Sequence, residues 1–307
     1  MLARHVPAAS GDRGHFRRKS RFAIQRPLAR RRLGPMLVFV FRLLSHLPLA
    51  WLHAVGRLLG RLVYALPGRY RRRLRAHAAQ AGYPDAAFAR RAAAETGASM
   101  LELPWVWFRT ADALARVHST DDHLIEAARA AGKSILFVTP HLGGFEMSAR
   151  YATRFAPITV LYRPPRQAAL ATLIEAARAD TLVEIAPASV AGVRQLLRTL
   201  RGGGQVGILP DQVPGKGEGA WADFFGRPAY TMTLPARLAS SDKVAVIAAA
   251  CERLPRGRGW RLHLAEVAPP PAGSGEAAAA WINQAMQSMI RRCPQQYLWS
   301  YNRYKNP

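Results

Sequence analysis

Short apolar runs alternate with segments of helical periodicity from about residue 83 to the end of the chain. The clearest run, 135–139, lies between Ser134 and Pro140 and has the length of a buried strand. Because strands that alternate with helices form βα units, the predicted fold class is α/β, with a mostly parallel central sheet flanked by helices. The predicted strands are 134–139, 157–162, 182–186, 205–209, 244–250 and 260–267. The predicted helices are 85–109, 121–131, 146–154, 166–179, 189–201, 233–240 and 276–292.

A different apolar pattern precedes this alternating region. Residues 36–66 form one long apolar segment, and about 20 apolar residues are enough to cross a bilayer. Three arginines, the first of them Arg42, and Pro48 interrupt it. Since a charge at the bilayer centre costs about 2.5–3.5 kcal/mol on insertion scales, we expect an N-terminal membrane-associated helical segment that is embedded in the membrane or lies in its interface. The alternative is an ordinary pair of helices buried in the globular domain.

The charge of the chain is large and unevenly placed. Lys and Arg number 44 against 19 Asp and Glu, so the net charge is +25, which predicts acidic partners such as anionic lipid, nucleic acid or acidic protein. Ten basic residues and a single acid, Asp12, lie before residue 33, in a stretch without periodicity. We therefore divide the chain into a disordered basic extension (1–35), a membrane-anchoring helical region (36–82) and an α/β domain (83–307). Arginines on both sides of the apolar segment favour the cytoplasmic side for the domain that follows.

Composition excludes several classes of protein. Half of the residues are apolar, which excludes a disordered chain. The only cysteines, Cys251 and Cys293, cannot form a disulfide framework, and a reducing compartment is the simpler assumption. The nine histidines show no zinc-binding spacing, so neither a metal nor another cofactor is expected.

The most informative local pattern is a histidine and an acid five positions apart. His141 follows the strand at 134–139, and Glu146 opens the next predicted helix after two intervening glycines. Because glycines allow a sharp turn, the Glu146 carboxylate is predicted to accept a hydrogen bond from one imidazole nitrogen of His141. The other nitrogen is then available to take a proton from a substrate hydroxyl, as a general base does. The alternative is a helix-capping glutamate beside a surface histidine.

Further candidate site residues also follow predicted strands, where α/β sheets bind their ligands. Arg163 is predicted to bind a phosphate or to stabilise an oxyanion, unless it is a structural ion-pair partner. Asp211 and Gln212 are predicted to order the site or to contact substrate, with a turn-capping aspartate as the alternative. Arg227 follows two phenylalanines and is predicted to face a phosphate, although the segment is almost as well suited to be a hydrophobic plug.

These residues lie in motifs that resemble the late acyltransferases of lipid A biosynthesis, the lauroyl/myristoyl transferase family. That family has a box of the form HxxxxE or HxxxxD, commonly HxGNWE. Here the box is His141-Leu-Gly-Gly-Phe-Glu146, with Gly144-Phe145 in place of Asn-Trp. The other matching segments are Tyr162-Arg163-Pro164, Leu209-Pro210-Asp211-Gln212, 224–239 and 294–305, so the resemblance covers roughly residues 36–305.

The resemblance implies a specific reaction. The enzyme would transfer a fatty acyl chain from acyl carrier protein to the hydroxyl of a hydroxyacyl chain on a lipid A precursor, with His141 as general base and Glu146 as its orienting residue. It also implies contact with membrane phospholipid and a place at the cytoplasmic face of the inner membrane. No serine or cysteine nucleophile is then needed, and the chain has no GxSxG motif.

Two other functions fit part of the sequence. Glycerophospholipid-type acyltransferases share a His/acid box, but they typically have Asp as the acid and a later EGTR-like motif, and this chain has Glu146 and no such motif. The charge would also suit a basic nucleic-acid-binding protein. However, the chain contains no finger or RNP motif, and its basic residues cluster around the lipophilic segment. We therefore expect no nucleic-acid partner.

Overall fold

The computed structural model describes residues 28–163, 165, 167–178 and 182–307. Residues 1–27, most of the predicted basic extension, lie outside the described residues. The described chain begins with five helices, the first of which starts upstream of Met36. They are α1 (Leu28–Ser45), α2 (Leu49–Ala65), α3 (Arg69–Gln80), α4 (Ala86–Phe108) and α5 (Thr110–Leu114).

Strands and helices then alternate, and each predicted element has a counterpart that differs by a few residues at its ends. The strands are β1 (Val117–Ser119), β2 (Ser134–Val138), β3 (Ile158–Tyr162), β4 (Val183–Pro187), β5 (Gln205–Ile208), β6 (Gly219–Phe224), β7 (Arg227–Met232), β8 (Val244–Arg253) and β9 (Trp260–Val267). The helices are α6 (His123–Ala130), α7 (Phe145–Ala152), α8 (Ala168–Arg178), α9 (Val190–Arg201), α10 (Leu234–Leu238) and α11 (Gly275–Arg292).

Seven of the strands form one sheet in the order β1-β9-β8-β2-β5-β3-β4. All neighbours run parallel except β8 and β9, so the prediction of a mostly parallel α/β sheet is confirmed. All five residues of the central strand β2 are buried, which explains its unbroken apolar sequence, because helices cover both faces of such a sheet. One core includes Leu196 of α9 and Met286 of α11, and the other includes Ile125 of α6 and Met147 of α7.

The sequence did not predict the antiparallel hairpin of β6 and β7. Its two-residue turn consists of Phe225 and Gly226, with φ angles of 50° and 73°. Two-residue hairpin turns commonly require positive φ at both positions and usually contain Asn-Gly or Asp-Gly. A phenylalanine at the first position therefore conceals the turn.

The N-terminal helices pack against the rest of the chain through small residues. Gly56 and Gly60 of α2 face Gly97 and Ala93 of α4, and a Cβ atom at Gly56 would lie 2.6 Å from the Gly97 carbonyl oxygen. This close approach admits no larger side chain. No single described helix is long and apolar enough to cross a membrane, but α1 from Leu33 onward and α2 pass that test together, as a pair bent by 117°.

Candidate active site

Two neighbouring strands bring the candidate residues together at the carboxyl edge of the sheet. β2 and β5 run parallel, with Val138 opposite Ile208, and the Thr139 N–H donates to the Ile208 carbonyl at 3.0 Å. The loops that follow the two strands therefore meet. His141 lies in the first loop and Asp211 in the second.

His141 is held by Asp211 through two hydrogen bonds. Its Nδ1 atom lies 2.7 Å from Asp211 Oδ1, and its backbone N–H donates to Asp211 Oδ2 at 2.9 Å. Asp211 is only 2% exposed. Burial alone would raise the pKa of Asp211, but the charge of His141 and these hydrogen bonds outweigh it and lower the pKa. The ionised Asp211 accepts a hydrogen bond from Nδ1–H of His141, and whenever the imidazole is neutral its Nε2 atom then carries the lone pair.

Glu146 does not occupy the position that the sequence predicted for it. Its carboxylate accepts a hydrogen bond from Trp107 Nε1 at 3.2 Å and forms an ion pair with Arg150 Nη1 at 3.1 Å. The reason is local: α7 begins at Phe145, so Glu146 lies in its first turn and meets Arg150 one turn later. The prediction that Glu146 orients His141 is therefore corrected, since Asp211 holds the imidazole Nδ1.

A cavity of about 620 Å³ opens beside this pair, within the range of about 300–1,000 Å³ that is usual for ligand sites. His141, Glu146, Arg163 and Gln212 line it, and Asp211 is buried behind His141. Much of the remaining wall is apolar. The apolar residues include Val160, Ile174, Val183, Val193, Leu209 and Leu234. The site thus combines an oriented imidazole with a largely apolar cavity.

A sequence model of the bacterial lipid A biosynthesis acyltransferase family matches residues 21–306. The chain belongs to this family. The resemblance seen in the motifs is confirmed, and the family match favours it over the glycerophospholipid and nucleic-acid alternatives.

Curated relatives agree with the family. The chain is 25% identical to the lipid A biosynthesis lauroyltransferase of Escherichia coli K12 over 212 residues, which are 68% of this chain and 69% of that protein. It is 28% identical to a lipid A biosynthesis acyltransferase of Haemophilus influenzae, over 57% of this chain and 55% of that protein. It is 24% identical to the lipid A biosynthesis palmitoleoyltransferase of E. coli K12, over 68% of each.

In the acyltransferase, three hydrogen bonds to the backbone of Gly143 and Gly144 hold the loop after β2 in place. The Gly143 N–H donates to the Gln296 carbonyl at 3.0 Å and the Gly144 N–H to the Cys251 carbonyl at 2.8 Å, while Ser99 Oγ donates to the Gly143 carbonyl at 2.8 Å. Gly143 has a φ of 56°, which favours glycine. These supporting groups belong to distant segments of the chain, so no local sequence pattern indicates them.

Gly144 lies directly against a buried aromatic ring of the acyltransferase. A Cβ atom at this position would lie 2.5 Å from Trp260 Cδ1, and Trp260 is fully buried. The departure from the family's Asn at position 144 therefore has a steric cause in this chain, because Trp260 fills the space that a side chain would need.

A buried ionic cluster lies beneath the loop, and no local sequence pattern predicts it. Glu102, which is 1% exposed, binds Arg253 through two hydrogen bonds of 2.7 Å. It also accepts from Trp260 Nε1 at 3.1 Å and contacts His53 Nε2 at 3.0 Å. Burial alone would raise the pKa of Glu102, but the Arg253 charge and the hydrogen bonds from His53 and Arg253 lower it to about 2. His53 therefore links helix α2 to Glu102, which also binds Trp260, the residue that packs against Gly144 of the active-site loop.

Arg227 lies apart from these residues. Its guanidinium lies over the Tyr304 ring, 4.6 Å from the centroid, and it is not among the described residues that line the cavity. Its predicted role in binding substrate stays a prediction. Among the described residues, no group of three or more His, Cys, Asp or Glu side chains is placed to hold a metal ion.

Proposed function

We propose that this acyltransferase moves a fatty acyl chain from the thioester of acyl carrier protein to the hydroxyl of a hydroxyacyl chain on a lipid A precursor. The observation that carries the proposal is the oriented His141–Asp211 pair beside an apolar cavity. An oriented general base suits a reaction in which the acceptor hydroxyl is itself the nucleophile. An apolar cavity suits the acyl chain.

His141 acts as the general base and Asp211 as its positioning residue. Nε2 takes the proton of the acceptor hydroxyl while that oxygen forms a bond to the thioester carbonyl carbon. The tetrahedral intermediate then breaks its C–S bond. The leaving thiolate receives the proton from His141 Nε2, and the base returns to its starting state. Asp211 keeps Nδ1–H in place and stabilises the imidazolium that forms in between.

A cysteine nucleophile is disfavoured by burial. Cys251 and Cys293 are both buried, and burial raises the pKa of each thiol, that of Cys293 to about 12. Neither thiol is ionised at neutral pH, so direct attack by the substrate hydroxyl remains the simpler route.

The charged residues of the cavity wall suit the polar ends of the substrates. Arg163 is exposed and lines the cavity, so it binds a lipid A phosphate or the oxyanion of the intermediate. Glu146 is proposed to act on the cavity wall through Arg150 and Trp107 rather than through His141. No cofactor takes part in the proposed reaction.

We also propose a place at the cytoplasmic face of the inner membrane, which the proposed substrates and the surface of α1 and α2 support. The most exposed large apolar residues there are Phe39, Leu43, Trp51, Leu62 and Leu66, which are 55–67% exposed. Membrane phospholipid would cover them and bring the cavity to a lipid acceptor.

The proposal is tested with the full chain in detergent micelles, using acyl-acyl carrier protein and a lipid A precursor. Mass spectrometry of the product should show one added acyl chain. His141→Ala should lower kcat by about 10²–10⁴-fold because the base is lost. His118→Ala, which removes an exposed histidine on β1, is the matched control and should keep the wild-type rate. A folded His141→Ala enzyme with near wild-type turnover, or acylation of glycerol 3-phosphate in place of the lipid A precursor, would contradict the proposal.

A further inference from the structure

The side-chain amide of Gln212 contacts His141 Nε2, the nitrogen that acts as the base. Gln212 Nε2 is 3.2 Å from His141 Nε2. In the neutral imidazole that a general base requires, Nδ1–H donates to Asp211 and Nε2 carries the lone pair, so the Gln212 amide is the donor of this hydrogen bond. In the resting enzyme the lone pair of the base is therefore occupied by an amide N–H.

The backbone of Gln212 is held on both sides, while its side chain faces the cavity. The preceding residue, Asp211, is buried and bound by His141. The Val213 N–H donates to the Tyr301 hydroxyl at 2.9 Å. Gln212 itself is half-buried and lines the cavity. Its amide can therefore change partners by side-chain rotation without movement of the loop.

Four consecutive backbone N–H groups of the loop after β2, from His141 to Gly144, are already engaged. The N–H of His141 donates to Asp211, and that of Leu142 donates to the Pro140 carbonyl at 2.8 Å. Those of Gly143 and Gly144 donate to carbonyl groups of the supporting segments. These four N–H groups are therefore not free to bind an oxyanion, and a side-chain donor that lies against the base suits that role.

We propose that Gln212 is a catalytic residue that donates a hydrogen bond to the oxyanion of the tetrahedral intermediate. The acceptor hydroxyl displaces the amide from His141 Nε2 when it binds. The attacking oxygen and the oxyanion are bonded to the same carbon of the tetrahedral intermediate, so they lie close together. The displaced amide can therefore donate to the oxyanion. The inference rests on the proposed acyl transfer and names a further group in the same site. The amide exchanges one acceptor for another, so no proton is gained or lost at Gln212.

Gln212→Glu tests this role because it preserves size but removes the N–H donor. Loss of one oxyanion donor typically lowers kcat by about 10²–10³-fold, so we expect that fall with little change in KM. Gln212→Ala should show a similar fall. Gln195→Glu on α9, a half-buried glutamine outside the cavity lining, is the matched control and should keep the wild-type kcat. Melting temperatures of all variants show whether they fold.

A second measurement reports the resting contact by itself. The ¹⁵N NMR signal of His141 Nε2 in the free enzyme should move in Gln212→Ala, because its hydrogen-bond donor is lost, and should not move in Gln195→Glu. A near wild-type kcat in a folded Gln212→Glu enzyme, or a change in KM alone, would overturn the inference while leaving the acyl transfer intact. Absence of acyl transfer by the wild-type enzyme in the same assay would instead contradict the proposed function.

Discussion

At the scale of the residue, the base is oriented by a partner 70 positions away. Asp211 uses both carboxylate oxygens on His141, whereas Glu146, only five positions away, pairs with Arg150. The two acids therefore have separable roles, although both belong to motifs of the family.

The first prediction compares the two acids. Asp211→Asn should lower kcat by about 10²–10⁴-fold, since the imidazole loses the carboxylate that fixes its tautomer and stabilises its charged form. Glu146→Gln is the matched variant and should cost less, because the hydrogen bonds of the His141 ring do not involve Glu146. Steady-state kinetics of both variants, with melting temperatures as the folding check, measure the difference. A larger loss in Glu146→Gln would restore the assignment made from the five-residue spacing.

The sequence predicted which residues lie at the cavity better than it predicted their partners. His141, Arg163, Asp211 and Gln212 were all singled out because they follow strands, and the structure brings all four to or directly behind the same cavity. The pairing depends on β5 lying next to β2, and no local pattern specifies the order of strands in a sheet. Arg227 was placed by its neighbours in the sequence, and the unpredicted hairpin carries it to Tyr304 instead.

At the scale of the element, the active-site loop depends on a buried ion pair between helix and sheet. Arg253 at the end of β8 binds Glu102 and Glu95 of α4, and its side chain is fully buried. The periodicity of α4 predicted a helix there but did not reveal its charged inner face. In the sequence, nothing distinguishes Glu102 from a solvent-exposed glutamate, because its partner Arg253 is 151 positions away.

The second prediction concerns the stability of this pair. Glu102→Gln should lower the free energy of unfolding by about 3–5 kcal/mol, because it leaves the buried Arg253 with incomplete compensation. Asp112→Asn is the control: its pair with Arg109 is partly exposed, so the expected loss is at most about 1 kcal/mol. Urea unfolding followed by circular dichroism measures both. Equal losses in the two variants would contradict the role of the buried pair.

The pH dependence of the same comparison has a defined sign. The pKa of Glu102 is lowered to about 2 in the folded protein, below its ordinary value of 4.5. Its ionisation therefore stabilises the fold fully above the ordinary value, and this stabilisation is lost as the pH falls from there towards about 2. The difference in unfolding free energy between wild type and Glu102→Gln should accordingly shrink over that range. A constant difference would mean that the charge of Glu102 is not what stabilises the cluster.

At the scale of the whole molecule, apolar and basic surfaces lie together at the N-terminal helices. One face of α2 packs on α4 through Gly56 and Gly60, and the opposite face exposes large apolar side chains. Exposed arginines follow at the end of α2 and along α3. They are Arg61, Arg69, Arg72 and Arg75. An apolar face with a basic border suits an anionic membrane surface better than water.

The last prediction tests this surface with the full chain and lipid vesicles. Trp51, Leu58 and Leu62 of α2 are 54–65% exposed, and replacing all three by Ser should weaken vesicle binding by about 100-fold or more. A fully buried side chain of this kind contributes about 1.5–3 kcal/mol, and 1.4 kcal/mol is a tenfold change. The control replaces Met100, Leu182 and Trp221, which are exposed outside α1 and α2, and should leave binding unchanged.

Wild-type binding should also be stronger to vesicles with anionic lipid and should weaken in high salt, because salt screens the attraction of the arginines. Equal binding by the two triple variants in a sedimentation assay would place the membrane contact outside α2.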